Sequence, residues 1–399
     1  MNLETPKKFA LLVEQAHQVA ANMLRPISRK YDKSEHAQPV ELNLLASLLD
    51  GMNDGAPESV GATSTGSRTD QGAGVKNGGN LSAVLGIMEM CWGDTGLLLA
   101  MPRQGLGNAA IAAVANEEQL QRFKGKWAAM AITEPGTGSD SANIRTTAVR
   151  DGDHYVLNGE KIYVTSGARA DCVVVWATLD RSLGKAAIKS FVVEHGTPGM
   201  AVTRLEKKLG IKASDTAAIT FTDCRVPAEN LLGSPDIDPQ KGFGGVMQTF
   251  DNTRPLVAAM AIGVARAALE RTRELLQDQL SRDYQHAPMQ ASHLEATLDR
   301  LEAEWEAARL LTLKAAWLAD NRIPNSKEAS MAKAKAGRVA NEATLKCLEL
   351  VGPLAYTETE LLEKWARDSK ILDIFEGTQQ IQQLIIARRV LGLSSAQLK

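Results

Sequence analysis

The spacing of hydrophobic positions changes character twice along the chain. Near the start, Phe9, Leu12, Val13, Ala16, Ala20, Met23 and Leu24 recur at helical intervals, which predicts one apolar stripe turned toward a partner element. A second helical run begins around Val40, and helical signal returns from about Leu81 to Lys124. Between them, 52–80 is dense in Gly, Ser, Thr and Asp. Such a stretch buries too little apolar surface to offset its ordering entropy, so a long surface loop is expected. At WAAMAIT the pattern becomes short apolar runs, and HYVLNGEKIYVTS, CVVVWATL, KSFVVEH, MAVTRL and AAITFTDCRV read as strands. From Gly242 the helical period resumes. Leu294, Leu298, Leu301, Trp305 and Ala308 advance by steps of four and three, and the next step lands on Thr312, where the seam turns partly polar. NRIPNSKE turns into a further helix, and ETELLEK and IQQLIIARRVLG supply more. The pattern predicts an α+β protein with an N-terminal helical domain over 1–125, a central β domain over 126–238 and a C-terminal helical bundle over 239–399.

Composition narrows the class of function. With 44% hydrophobic and 23% charged residues, and 45 basic against 47 acidic side chains, the chain reads as globular and shows no charge excess suited to nucleic acid. Cys91, Cys172, Cys224 and Cys347 are widely spaced, which favours reduced thiols and a cytoplasmic location. The start has no long apolar segment, and PLVAAMAIGVARAAL is interrupted by Arg266, so neither secretion nor a membrane span is expected. The six histidines form no metal-binding spacing, and no metal is expected. Nucleotide-binding glycine turns, phosphate loops, zinc-protease motifs and serine nucleophile elbows are also missing.

Three segments can carry chemistry. In ITEPGTGSD (132–140), glycines let backbone approach a ligand while Thr133 and Ser139 offer hydroxyls, although the same residues also make an ordinary strand-end turn. In NGEKIYVTSG (158–167), Asn-Gly fits a type I′ turn, and Tyr163 and Thr165 alternate on the strand that follows; a plain hairpin has the same pattern. In DSKILDIFEGTQQIQQLIIARR (368–389), Glu376 stands between Phe375 and Gly377-Thr378. A carboxylate moved into a water-poor site becomes a stronger base, Gly377 allows close approach, and Thr378 and Gln380 can serve phosphate oxygens. Spacing alone equally allows a surface glutamate or a helix cap.

Taken with FTDCRVPAENLLG and FDNTRP, the ordered set of segments closely resembles the acyl-CoA dehydrogenase family across nearly all of the chain outside 52–80. The resemblance implies an N-terminal helical domain, a central β domain and a C-terminal four-helix bundle, with FAD as cofactor and an acyl-CoA as substrate. It assigns the flavin-facing loop to Ile132 and Thr133, and a flavin-phosphate or substrate-side contact to Ser139. Tyr163 replaces the usual Trp beside the isoalloxazine, and Thr165 matches the hydrogen-bonding residue near its reactive edge. Glu376 matches the catalytic base. Thr253 stands where some relatives carry an alternative glutamate, and Arg254 resembles an active-site support residue. The implied reaction is α-proton removal by Glu376 with β-hydride transfer to flavin, giving an enoyl-CoA. Electron-transferring flavoprotein is the expected acceptor; acyl-CoA oxidase chemistry and a flavin-poor scaffold are the alternatives.

Two departures bear on assembly. Where the family has an Arg-x-x-Phe-Gly segment reaching the neighbouring subunit's FAD, this chain has Ser281, Tyr284 and Gln285, with Arg282 displaced by one position. Where it has Gln-x-x-Gly-Gly, this chain has Glu349 and Pro353. A homomer would present the same deficient surface to every flavin, so the expected assembly is a heterodimer or heterotetramer with a second acyl-CoA dehydrogenase-like subunit.

Overall fold

The computed structural model describes residues 5–53, 75–103, 106–237, 244–280, 291–395 and 397–398. In the N-terminal region, α1 (Ala10–Val19) passes through a wider turn at Ala20–Leu24 into α2 (Arg25–Lys33), and Ala20 and Leu24 are fully buried. Then come α3 (Glu41–Asn53), α4 (Gly79–Gly93), α5 (Thr95–Leu99), α6 (Leu106–Val114) and α7 (Glu117–Arg122). Both ends of the expected 52–80 loop are therefore helical, and 54–74 lies outside the described residues. Asp94 starts α5 by accepting the Leu97 N–H at 2.7 Å.

Seven strands form one sheet: β1 (Ala128–Ala131), β2 (Thr147–Asp151), β3 (His154–Thr165), β4 (Cys172–Thr178), β5 (Ile188–Glu194), β6 (Met200–Leu205) and β7 (Thr216–Pro227). Their order is β1-β4-β2-β3-β7-β6, with β5 on β4. The β1–β4 pairing is parallel, and β4 is buried at every position, as its unbroken Cys-Val-Val-Val-Trp-Ala-Thr run requires. The Asn158-Gly159 turn expected from the sequence is not one. Both residues lie inside β3, where the register against β7 shifts between Leu157 and Gly159. The reversal comes earlier, between β2 and β3, with Gly152 at φ 62°. Gly159 serves a close approach instead: a Cβ there would lie 2.5 Å from Thr146 Oγ1.

The C-terminal helices are α8 (Gly244–Leu275), α9 (His293–Asp320), α10 (Ser326–Val351), α11 (Leu362–Ser369) and α12 (Gln379–Leu391). Ala261, Ile262, Leu298, Leu301, Val339 and Trp365 share one core, which α4 enters with Leu81, Val84, Leu85 and Met88. Thr312 is fully buried in the α9 seam and donates its hydroxyl to the Ala308 carbonyl at 2.9 Å, so the polar step is satisfied within the helix. No helix among the described residues is long and apolar enough to cross a membrane.

Buried charge joins the regions. Lys364 of α11 contacts Asp94 at 2.7 Å and Asp368 at 2.5 Å, while Asp368 accepts the Ile211 N–H, at 2.5 Å, from the segment between β6 and β7. Arg367 pairs with Asp32 of α2 at 2.7 Å. The Arg-Asp part of the C-terminal motif thus docks α11 against the helices and the sheet, upstream of Glu376.

Candidate active site

After α11 a short helical turn, Lys370–Asp373, brings the chain to Glu376 and Gly377, whose φ angles are 56° and 91°. The left-handed region costs a non-glycine residue about 1–3 kcal/mol, so surrounding contacts must hold it. They come from two buried side chains. Gln382 Nε2 donates to the Glu376 carbonyl at 3.1 Å and the Gly377 carbonyl at 3.0 Å, and Lys333 Nζ donates to the Gly377 carbonyl at 2.6 Å. Thr378 accepts the Ile381 N–H at 3.4 Å as the N-cap of α12, and Gln380 is exposed.

Glu376 is half-buried, with one carboxylate oxygen turned inward to α8. Thr253 Oγ1 donates to Glu376 Oε2 at 2.8 Å, and both Thr253 and Arg254 of α8 are buried. Burial pushes the Glu376 carboxyl above its ordinary range, opposed by the Thr253 hydroxyl and the charges of Arg254 and Lys333. Burial also lowers Lys333 to about 8. This is a partly desolvated, oriented carboxylate, a stronger base than an exposed one.

A second group forms around β1 and β3. The Ile162 N–H donates to the Thr133 carbonyl at 2.9 Å, joining the Ile132–Thr133 segment to the strand that bears Tyr163 and Thr165. Tyr163 is 62% exposed at φ 57°, Val164 is buried and Thr165 half-buried. Ser139 is exposed. Beneath them, Lys161 Nζ reaches Glu134 Oε1 at 2.8 Å and the Ile132 carbonyl at 3.1 Å; Glu134 also accepts the N–H groups of Arg145 and Thr146, at 2.6 and 2.9 Å. An uncovered aromatic ring, accessible hydroxyls at Thr133 and Thr165, and open space above Gly136 and Gly138 suit a flat heterocycle bearing hydrogen-bonding groups.

The structure therefore gathers Glu376, Thr253, Arg254, Gly377 and Thr378 into one cluster, and Ile132, Thr133, Tyr163 and Thr165 into another. Residues 129–224 match the acyl-CoA dehydrogenase middle domain, and residues 240–391 match the acyl-CoA dehydrogenase C-terminal domain. The short-chain specific acyl-CoA dehydrogenase of Clostridium acetobutylicum is 33% identical over 98% of this chain and 100% of its own length. The chain belongs to the acyl-CoA dehydrogenase family. Butyryl-CoA dehydrogenase from Megasphaera elsdenii superposes with a TM-score of 0.82 at 30% identity, covering 98% of this chain and 100% of that one. A chain in the structure described as the electron transferring flavoprotein of Acidaminococcus fermentans gives 0.81 at 30% identity, with the same coverage. Acyl-CoA dehydrogenases are FAD-dependent flavoprotein oxidoreductases of fatty acid metabolism, and the second cluster fits that cofactor.

The sequence reading missed Lys333, Gln382 and the Glu134–Lys161 pair. For Lys333 a signal existed: Ala329, Lys333, Ala336, Ala340 and Ala343 step by four and three along α10, placing one cation in an otherwise small, buried seam. Thr253, expected with Arg254 and Gly377 as a substrate-binding or active-site support residue that brings no rival carboxylate, donates its hydroxyl to the carboxylate of Glu376. Of the two departures from the family pattern, Glu349 is exposed and pairs with Lys346 at 2.6 Å, and Pro353 is exposed in the turn after α10. Ser281, Arg282, Tyr284 and Gln285 lie outside the described residues.

Proposed function

We propose that the chain converts an acyl-CoA thioester to the α,β-enoyl-CoA, with Glu376 removing the α proton. The observation that carries this reading is the half-buried Glu376 carboxylate, held by the Thr253 hydroxyl at 2.8 Å and raised in pKa by burial. Bound FAD supplies the acceptor for the β hydride. Thr253 keeps one carboxylate oxygen engaged, leaving Oε1 to take the proton. Arg254 and Lys333 keep the ionised form accessible despite burial. Tyr163 provides the packing face for the cofactor, and Thr133 and Thr165 provide its polar contacts. Anaerobic mixing with butyryl-CoA tests the assignment: wild-type flavin bleaches, and Glu376→Gln retains FAD but bleaches orders of magnitude more slowly. Bleaching of the variant at the wild-type rate removes Glu376 from the reaction.

We further propose electron-transferring flavoprotein as acceptor, a reducing compartment such as the cytoplasm, and a heteromer with a second acyl-CoA dehydrogenase-like subunit. Similarity to a chain in an electron transferring flavoprotein structure supports the first, and four free, buried cysteines support the second. The third rests on Glu349 and Pro353, which put an acidic side chain and a residue without an N–H on an exposed face. Native mass measurement with flavin quantification tests it. A fully active assembly of this chain alone, with one tightly held FAD per subunit, overturns it.

A further inference from the structure

We propose that Lys333 is a positioning residue for Glu376: its solvent-shielded ammonium group, bonded to the Gly377 carbonyl, holds the backbone turn and supplies the local field in which the base works. The inference rests on Glu376 being the base. The side chain of Lys333 is 0% exposed, and its one hydrogen bond among the described residues goes to Gly377 O at 2.6 Å. A charge-assisted bond of that length is among the stronger contacts a backbone carbonyl can receive. The same carbonyl takes Gln382 Nε2 at 3.0 Å, so both its acceptor positions are engaged by buried donors. The clamp acts where it is needed, because Glu376 and Gly377 are the consecutive left-handed residues whose backbone aims the carboxylate.

Stability does not explain a lysine here. Among the described residues, Asp373 on the turn before Glu376, Glu376 itself and Arg254 on α8 are the charged groups that act on it, and no ion pair joins it to either carboxylate. A buried cation without an ion-pair partner is costly, and a methionine of similar length would occupy the same buried position without that cost. What methionine could not do is donate to Gly377 or hold positive charge near Glu376. That charge favours the carboxylate, partly countering burial, so its loss must raise the Glu376 pKa further.

The test uses the FAD-loaded protein in its native assembly, with Lys333→Met and Lys333→Gln, and two readouts. The first is the carboxyl infrared band of Glu376, identified by subtraction of Glu376→Gln and titrated without substrate. The second is anaerobic flavin reduction by butyryl-CoA across pH. For Lys333→Met the Glu376 titration and the acid limb of the rate both move to higher pH. The limiting rate falls about ten- to a hundred-fold, as displacement of a base by about 1 Å would give, while butyryl-CoA affinity changes less than about two-fold. Lys333→Gln, neutral but still able to donate, moves the titration as far and loses less rate; it carries the test where the methionine variant does not fold. A folded variant whose Glu376 titration stays at the wild-type position overturns the proposal, even where its rate falls. Should Glu376→Gln itself reduce flavin normally, the base assignment falls first; should only the Lys333 variants behave as wild type, the base stands and the positioning role fails.

Discussion

Glu134 and Glu376 make an instructive pair. Each lies at a bend beside a helix-breaking residue, Pro135 in one case and Gly377 in the other, and each is withdrawn from bulk water. Burial pushes both carboxyls upward. At Glu134 it is outweighed by Lys161 and by donors from Thr146 and Arg145, so the group stays below its ordinary range. At Glu376 one hydroxyl donates and burial wins. A carboxylate saturated with donors binds protons poorly; one left short of donors binds them more readily. Side-chain identity is equal in the two places, and donor supply separates the roles.

The largest effect that could break the comparison is at Glu376 itself. Glu376→Gln should slow flavin reduction by about 10²- to 10⁴-fold, the usual range for a lost general base, with no loss of folding stability. Glu134→Gln should act in the reverse sense. It leaves Lys161 buried without its anion, which costs about 3–5 kcal/mol and loosens the Ile132–Thr133 segment, so chemical denaturation and FAD retention register the change before chemistry does. A stable, flavin-replete Glu134→Gln protein with only its chemistry impaired would show that the two glutamates are not distinguished in this way.

Smaller changes sharpen the contrast. Gly377→Ala places a Cβ 2.5 Å from Gln382 Nε2 at φ 91°, and should cost about 1–3 kcal/mol in thermal unfolding together with a slower reductive step. Because the base works only when ionised, the reduction rate should rise with pH through a midpoint above the ordinary carboxylate range, while Glu134 stays charged across that window. Thr253→Val removes a contact that favours the carboxylate, so that midpoint should move further up, as the pH profile of single-turnover reduction would record. The smallest stability effect belongs to Tyr163→Ala. The ring is largely exposed, so unfolding should change by less than about 0.5 kcal/mol while the flavin spectrum and retention shift.

The chain's own pattern determined the succession of helices, sheet and helices, because apolar periods of 3.6 and 2 are local properties that each segment states for itself. It also determined which segments matter, since Glu376, Thr133 and Tyr163 stand in motifs dense enough to be recognised together. Tertiary structure decided how those motifs work. The Asn-Gly pair looks like a turn until packing against Thr146 makes it a bulge, and Glu134 looks like a loop glutamate until Lys161, 27 residues away, enters the same buried space. Lys333 and Glu376 belong to different elements, and no local pattern brings the ammonium group to the carbonyl of Gly377. Hydrogen bonding and desolvation depend on what surrounds a group in three dimensions, so the chemistry of a carboxylate is set only when distant segments close around it.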